Sequence, residues 1–231
     1  MKNREFDQKA PQDFCPERAT IAERQGASED KNPEVKPTQS KTDFSSCFGI
    51  KGENHLVVSE SVLKKVTGLP HPEGVAAEVA LPPPGKLEGK KFLLALDEIS
   101  DPGNLGTLLR TAWALGWEGA FLTPSSVDPF NDKAIRSAKG ASFLLPLRSG
   151  SWEEFDALSS GMQIYVADPK GKIVSKVDFR SPMVLVLGNE SRGLSASAKK
   201  RGQPISIPIQ KMESLNVAIA GAILMYTMRP S

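Results

Sequence analysis

The spacing of apolar positions changes character twice along the chain. Residues 1–45 hold only Ile21 and Val35 as branched aliphatics and follow neither a helical nor a strand period, so this stretch predicts a disordered arm. Residues 46–85 carry short apolar runs instead. His55-Leu56-Val57-Val58 predicts a strand, Ser59 caps a helix running to Thr67, and Gly68 ends it. Gly74–Leu81 predicts another strand, and Pro82-Pro83-Pro84-Gly85 forms a stiff connector.

From 86 to 231 apolar runs alternate with amphipathic segments. Phe92–Leu96 and Met183–Leu187 are continuous apolar runs, the pattern of strands covered on both faces. Gly119–Thr123, Gln163–Ala167 and Ile205–Ile209 predict three more strands. Helices are predicted over Asn104–Leu115, Asp132–Ala138, Trp152–Leu158 and Ser214–Met228. In the first, Leu105, Leu108, Leu109, Ala112 and Trp113 share one face, and Asn104, Thr107, Arg110 and Thr111 the other. The last is almost wholly apolar; Ser214 is its expected N-cap, and Met225 and Met228 read as packing residues. The alternation predicts an α/β domain with a mostly parallel sheet and helices on both faces.

Composition adds constraints. The 231 residues carry a net charge of +2. Residues 1–85 hold 11 Lys/Arg against 13 Asp/Glu, and residues 86–231 hold 18 against 14. The positive excess therefore sits on the α/β part, as a polyanion would require, though many domains share that balance. Cys15, Cys47, His55 and His71 form no ligand cluster, so no metal is expected. The N-terminus lacks the apolar core of a secretory signal. The longest uncharged apolar stretch, 214–228, falls short of the roughly 18–20 residues that span a bilayer. A cytoplasmic protein without membrane contact is expected.

Three segments carry candidate chemistry. Asp97–Arg110 reads as a strand end, a Pro/Gly turn and a helix, the place where ligands collect in open α/β sheets. Its Arg110 points away from the core. Leu187–Leu194 follows a buried strand, and its two glycines allow a ligand close to the backbone. It is not a dinucleotide fingerprint. Ile205–Ile209 and then Ser214–Ala220 place Asn216, a polar amide, at the opening of a buried helix. Each segment alone also fits an ordinary turn or cap.

In this order and spacing the three resemble the signature motifs of the SpoU (TrmH-type) family of RNA 2'-O-ribose methyltransferases, within the SPOUT superfamily. The matching residues are Asn104 to Arg110, Gly188-Asn189-Glu190 with Gly193-Leu194, and Ile207-Pro208-Ile209 followed by Ser214-Leu215-Asn216-Val217-Ala218. The stretch Ile135–Ala141 is similar to a further family segment, and the resemblance covers about residues 56–231.

The resemblance implies a C-terminal trefoil knot, preceded by a partial small α/β domain. It gives a domain plan of 1–45 arm, 46–85 partial RNA-binding-like domain and linker, and 86–231 knotted methyltransferase domain. It implies S-adenosylmethionine as cofactor, held near Leu187, Gly188, Ile207 and Leu215. The catalytic set would be Arg110, Asn104, Glu190, Ser214 and Asn216. A guanidinium stays protonated, so Arg110 is expected to bind phosphate and stabilise oxyanion charge, while a phosphate oxygen or water takes the proton. Asn104 and Asn216 would orient the ribose and Arg110, Glu190 would fix its loop or a partner subunit, and Ser214 would support Asn216. The RNA, ribosomal or transfer, would meet Arg110, Arg136, Lys139 and Arg192, with Lys199, Lys200 and Arg201 as further phosphate contacts. A homodimer is implied.

The chain departs from the family pattern twice. Residues 46–81 match only the last strand and helix of the usual front domain, and Gln210-Lys211-Met212-Glu213 lacks the family's glycine. The alternative reading is a non-catalytic RNA-binding or assembly protein retaining the knot fold.

Overall fold

The computed structural model describes residues 20–24, 54–72 and 74–229. The chain divides into two units, Met1–Leu81 and Pro82–Ser231. In the first, strands β1 (Thr20–Arg24), β2 (Asn54–Val58) and β3 (Val75–Glu78) form a sheet in the order β2-β1-β3. β1 runs parallel to β2 and antiparallel to β3. Helix α1 (Glu60–Thr67) follows β2, capped by Ser59 and ended by Gly68 at φ 66°. β1 falls inside the stretch expected to be an unstructured arm. Its five residues include a single branched aliphatic, and its partners lie some thirty or more positions away, so no local period announces it. The remainder of that arm lies outside the described residues.

The second unit holds a six-stranded sheet: β4 (Phe92–Leu96), β5 (Gly119–Leu122), β6 (Leu147–Ser149), β7 (Gln163–Ile173), β8 (Met183–Leu187) and β9 (Gln203–Ser206). The order is β6-β5-β4-β8-β7-β9, and every pairing is parallel. The helices are α2 (Pro102–Ala114), α3 (Asp132–Ala138), α4 (Ala141–Leu144), α5 (Trp152–Leu158), α6 (Ala196–Lys199) and α7 (Val217–Met228). Alternate residues of the central strands enter different cores. Leu94, Leu96, Leu185 and Leu187 pack with Leu105, Leu108, Leu109, Leu224 and Met225. Leu93, Ala95, Val184 and Val186 pack with Phe121, Phe155, Leu194 and Ala198 on the other side. Burial on both faces explains the unbroken apolar runs in β4 and β8.

Several expected boundaries move. Helix α2 begins earlier than Asn104, because Asp101 caps it and Pro102 suits its first turn. Trp113 leaves the apolar face and is 42% exposed. β9 ends at Ser206, and β7 continues beyond Ala167 through a shift in register. Helix α7 starts at Val217, and Asn216 replaces Ser214 as its N-cap. Asn216 offers its side-chain oxygen to the N–H groups of Ala218 and Ile219, which the exposed Ser214 does not reach.

Glycines set how closely the helices approach. A Cβ on Gly106 would strike the Ala134 carbonyl and Ser137 of α3, and one on Gly221 of α7 would strike Leu108 and Leu187. Helix α2 is thus held between α3 and α7. The chain steps outward from β4 through β5 to β6, while β8 and β7 lie on the opposite side of β4. The carboxyl ends of β4 and β8, paired Leu96 to Leu187, therefore mark the point where strand order reverses, the usual ligand crevice of such sheets.

Gly106→Ala is expected to destabilise the unit by about 1–3 kcal/mol, since overpacking forces helix against helix. Urea denaturation measures this, and a variant within about 0.5 kcal/mol of the parent would refute the close α2–α3 contact.

Candidate active site

Two loops meet at the ends of β4 and β8. After β4 the chain turns through Glu98, whose φ of 57° is rare for a residue with a side chain. This backbone is held from several directions. The Glu98 N–H donates to Thr123 Oγ1 at 2.9 Å, and Asn189 Nδ2 donates to the Glu98 carbonyl at 2.8 Å. Asn189 Oδ1 also accepts from the N–H groups of Ser191 and Arg192, each at 3.0 Å. The loop closes on itself, with Asn189 and Gly193 exchanging both main-chain bonds. Gly188 permits that closure, because a Cβ there would lie 2.5 Å from the Gly193 carbonyl carbon.

Glu190 stands at the junction. One carboxylate oxygen accepts from Ser100 N at 3.1 Å and Ser100 Oγ at 2.8 Å. The other accepts from Asp101 N and Asn104 Nδ2, both at 3.1 Å. Asn104 Oδ1 in turn accepts from Asn216 Nδ2 at 3.0 Å. The structure thus joins Glu190, Asn104 and Asn216, one from each expected motif, in a continuous chain of hydrogen bonds. Partial burial alone would raise the Glu190 carboxyl. Bonds from Asn104 and from the main chain of Glu190, Ser100 and Asp101 outweigh that and hold it below its ordinary range. Glu190 is therefore ionised at neutral pH and is no proton donor. At the next position, Lys133 donates to Asp101 at 2.8 Å and, with the Asn104 N–H, lowers the Asp101 carboxyl.

The other expected residues distribute as follows. Arg110 is exposed on α2 and makes no hydrogen bond or ion pair to any described residue. Ser214 is exposed and does not bond Asn216, so the support expected from it is absent here. Leu187 is buried at the end of β8, Ile207 is partly buried against the same core, and Leu215 is 37% exposed. No hydrogen bond links residues 207–215 to any other described residue. Arg136 pairs with Asp132 at 2.9 Å and Arg192 with Glu98 at 2.7 Å, both at the surface. Lys139, Lys199 and Lys200 are exposed, whereas Arg201 is committed to Asp156 at 2.7 Å and stacks over Trp152. Among the described residues no His/Cys/Asp/Glu group suits a metal ion, and no helix is long and apolar enough to cross a membrane.

Sequence reasoning missed Asp101 and Asn189. An Asp-Pro pair before an apolar period is a helix-start signal that was available for the first. The second acts through the carbonyl of Glu98, a contact that no sequence spacing reveals.

A sequence model of the SpoU rRNA Methylase family matches residues 91–226, which contain all of this network. The chain belongs to the SpoU rRNA methylase family. It is 37% identical over 187 residues to slr1673 of Synechocystis sp., an uncharacterized tRNA/rRNA methyltransferase, covering 75% of this chain and 66% of that one. It is 34% identical over 178 residues to RlmP of Bacillus subtilis, a 23S rRNA (guanosine(2553)-2'-O)-methyltransferase, covering 75% and 71%. The matched region thus spans about two thirds of these SpoU relatives. The crystal structure of an AdoMet-bound rRNA methyltransferase from Sinorhizobium meliloti superposes with a TM-score of 0.70 at 28% identity, over 90% of this chain and 78% of that one.

Because the folded-state pKa of Glu190 lies below its ordinary value of 4.5, its stabilising effect is present above that value and is lost as pH falls through the lower one. Glu190→Gln leaves one acceptor oxygen for four donors. It should cost about 1–3 kcal/mol at neutral pH, and the gap from wild type should narrow in acid as the wild-type carboxyl protonates. Urea titrations from neutral pH down through the acid range measure both, and a gap that narrows nowhere in that series would refute the ionised network.

Proposed function

We propose that the protein transfers a methyl group from S-adenosylmethionine to a ribose 2'-hydroxyl of ribosomal or transfer RNA. The observation that carries this reading is the bonded chain Glu190–Asn104–Asn216, whose Asn104 shares helix α2 with an exposed Arg110 that bonds no described residue. The 2'-O-methylating relative RlmP supports the reaction type, and the AdoMet-bound neighbour supports the cofactor.

The residues at hand suit that cofactor. The main chain of 207–215 makes no hydrogen bond to any other described residue, the partly buried Ile207 and the exposed Leu215 offer apolar surface there, and the main chain at the end of β8, at Leu187, completes the cofactor site. Gly188, straight after β8, contributes its main chain to the same site. When bound, the sulfonium supplies an electrophilic methyl carbon that the ribose oxygen attacks as the carbon–sulfur bond breaks. Arg110 holds the adjacent phosphate and stabilises charge growing on the ribose oxygen. It keeps its own proton, so a phosphate oxygen or water accepts the one released. Asn104 and Asn216 orient the ribose, and the main requirement is alignment. Arg136, Lys139 and Arg192 meet the RNA backbone, and the exposed ion pairs of Arg136 and Arg192 yield at little cost.

The C-terminal segment forms a trefoil knot, and two copies associate through α7. Ile219, Ile223 and Tyr226 are 54%, 39% and 57% exposed on that helix at helical spacing, and Trp113 on α2 is 42% exposed. The unit before the connector acts as a partial RNA-binding domain.

The test is methyl transfer to rRNA and tRNA, followed by nuclease digestion and mass analysis for 2'-O-methylnucleosides. Arg110→Ala should lower kcat by about 100-fold or more, and Arg110→Lys should recover little of it. Methyl found on a base, or full turnover by Arg110→Lys, would overturn the assignment. Binding of RNA and S-adenosylmethionine without transfer would favour a non-catalytic RNA-binding role.

A further inference from the structure

We propose that Asp97 is a positioning residue that pins both ends of the Gly188–Leu194 loop and thereby sets where Glu190 stands. Asp97 is fully buried, at 0% exposure, immediately after β4. Its main-chain N–H donates to the Leu187 carbonyl at 2.8 Å, where the loop leaves β8. Its Oδ2 accepts from the Ser195 N–H at 2.7 Å, where the loop ends and α6 is capped. One residue therefore holds the two positions that flank the loop, Leu187 through its main chain and Ser195 through its side chain.

The loop behaves as a unit between those points. Asn189 and Gly193 exchange main-chain bonds at 3.0 and 2.9 Å, and Asn189 Oδ1 holds Ser191 and Arg192 from within. A unit so closed moves as a body when its anchors fail. Its other anchors all run to the turn and helix start that follow Asp97: Asn189 to Glu98 and Ser100, Arg192 to Glu98 through an exposed ion pair, and Glu190 to Ser100, Asp101 and Asn104. The remaining Asp97 oxygen, Oδ1, is buried without a hydrogen-bond partner among the described residues. Burying an unpaired oxygen is unfavourable, so the carboxyl is not there to fill space. Its single side-chain bond, to Ser195, is the contact that accounts for it.

The consequence reaches the site through Glu190 at the loop's apex. Ser100, Asp101 and Asn104 all donate to that carboxylate, so a displaced loop strips three residues of their acceptor. The effect on turnover rests on the proposed methyl transfer, whereas the effect on the loop does not.

The test compares Asp97→Ala, Asp97→Asn and Ser195→Pro, with Ser195→Ala as control, by amide hydrogen exchange and by methyl transfer. Asparagine keeps an oxygen for the Ser195 N–H. Proline removes that N–H at a φ of −62°, which its ring accepts, and the alanine control accounts for the lost cap. In Asp97→Ala and Ser195→Pro, exchange at Ser100 and Asp101, whose N–H groups are held by Glu190, should speed up about tenfold or more while β4 and β8 stay protected. Asp97→Asn and Ser195→Ala should stay near wild type. The two disrupting variants should also lose about tenfold or more in kcat with RNA KM within about threefold, and Asp97→Asn should recover it. Unchanged exchange at Ser100 and Asp101 in Ser195→Pro would overturn the proposal, as would an Asp97→Asn variant as impaired as Asp97→Ala. Should Asp97→Ala not fold, Ser195→Pro decides alone. A wild type that transfers no methyl group would count against the proposed function, and the exchange result would still judge Asp97.

Discussion

An ionised carboxylate accepts hydrogen bonds and donates none, and Glu190 imposes that polarity on everything around it. Asn104 must turn its amide nitrogen toward Glu190, which leaves its oxygen facing Asn216. Asn216 must then present its nitrogen to Asn104, which leaves its oxygen to cap α7. The direction of each bond follows from the charge at the start of the chain. A partly buried anion is stable there only because four donors converge on it, and they converge only if both loops are folded. Loop shape, amide orientation and the start of the last helix are thus one constraint.

The two sides of the crevice differ in how firmly they are held. The turn after β4 and the loop after β8 are bonded to each other repeatedly, and Glu98 keeps its uncommon backbone because Thr123 and Asn189 hold its N–H and carbonyl. Residues 207–215 carry no such bonds, and Ile209, Met212 and Leu215 are exposed along them. Few hydrogen bonds and little burial mean a low cost of local opening. Reacting groups are best carried by the bonded side, and a segment ordered by its ligand belongs on the other.

Much of this was legible from residue order. The apolar runs of β4 and β8 required two covering layers, and the period of α2 placed Arg110 on its open face. Each polar motif alone fitted an ordinary turn or cap, and their joint resemblance to the SpoU family pointed to Asn104, Glu190 and Asn216 before any geometry placed them side by side. What escaped was decided by tertiary partners. Ser214 and Asn216 are both good capping residues, and the bond to Asn104 favours Asn216. Trp113 fits the apolar stripe by spacing, yet it lies at the stripe's edge and stays half exposed. β1 has too few apolar residues to stand out, and it exists through pairing with distant strands. Asp97 looked like any strand-end acid, and only its burial and its bond to Ser195 distinguish it.

The relay from Glu190 through Asn104 to Asn216 is tested most directly by a double-mutant cycle. Glu190→Gln, Asn216→Ala and the double variant would be unfolded in urea at neutral pH. Glu190 and Asn216 share no hydrogen bond, so direct contact adds nothing to the cycle. The relay predicts that the cost of Asn216→Ala shrinks by about 0.5–1.5 kcal/mol once Glu190 is neutralised. Costs that add to within about 0.3 kcal/mol would mean the two ends do not communicate and would contradict the account.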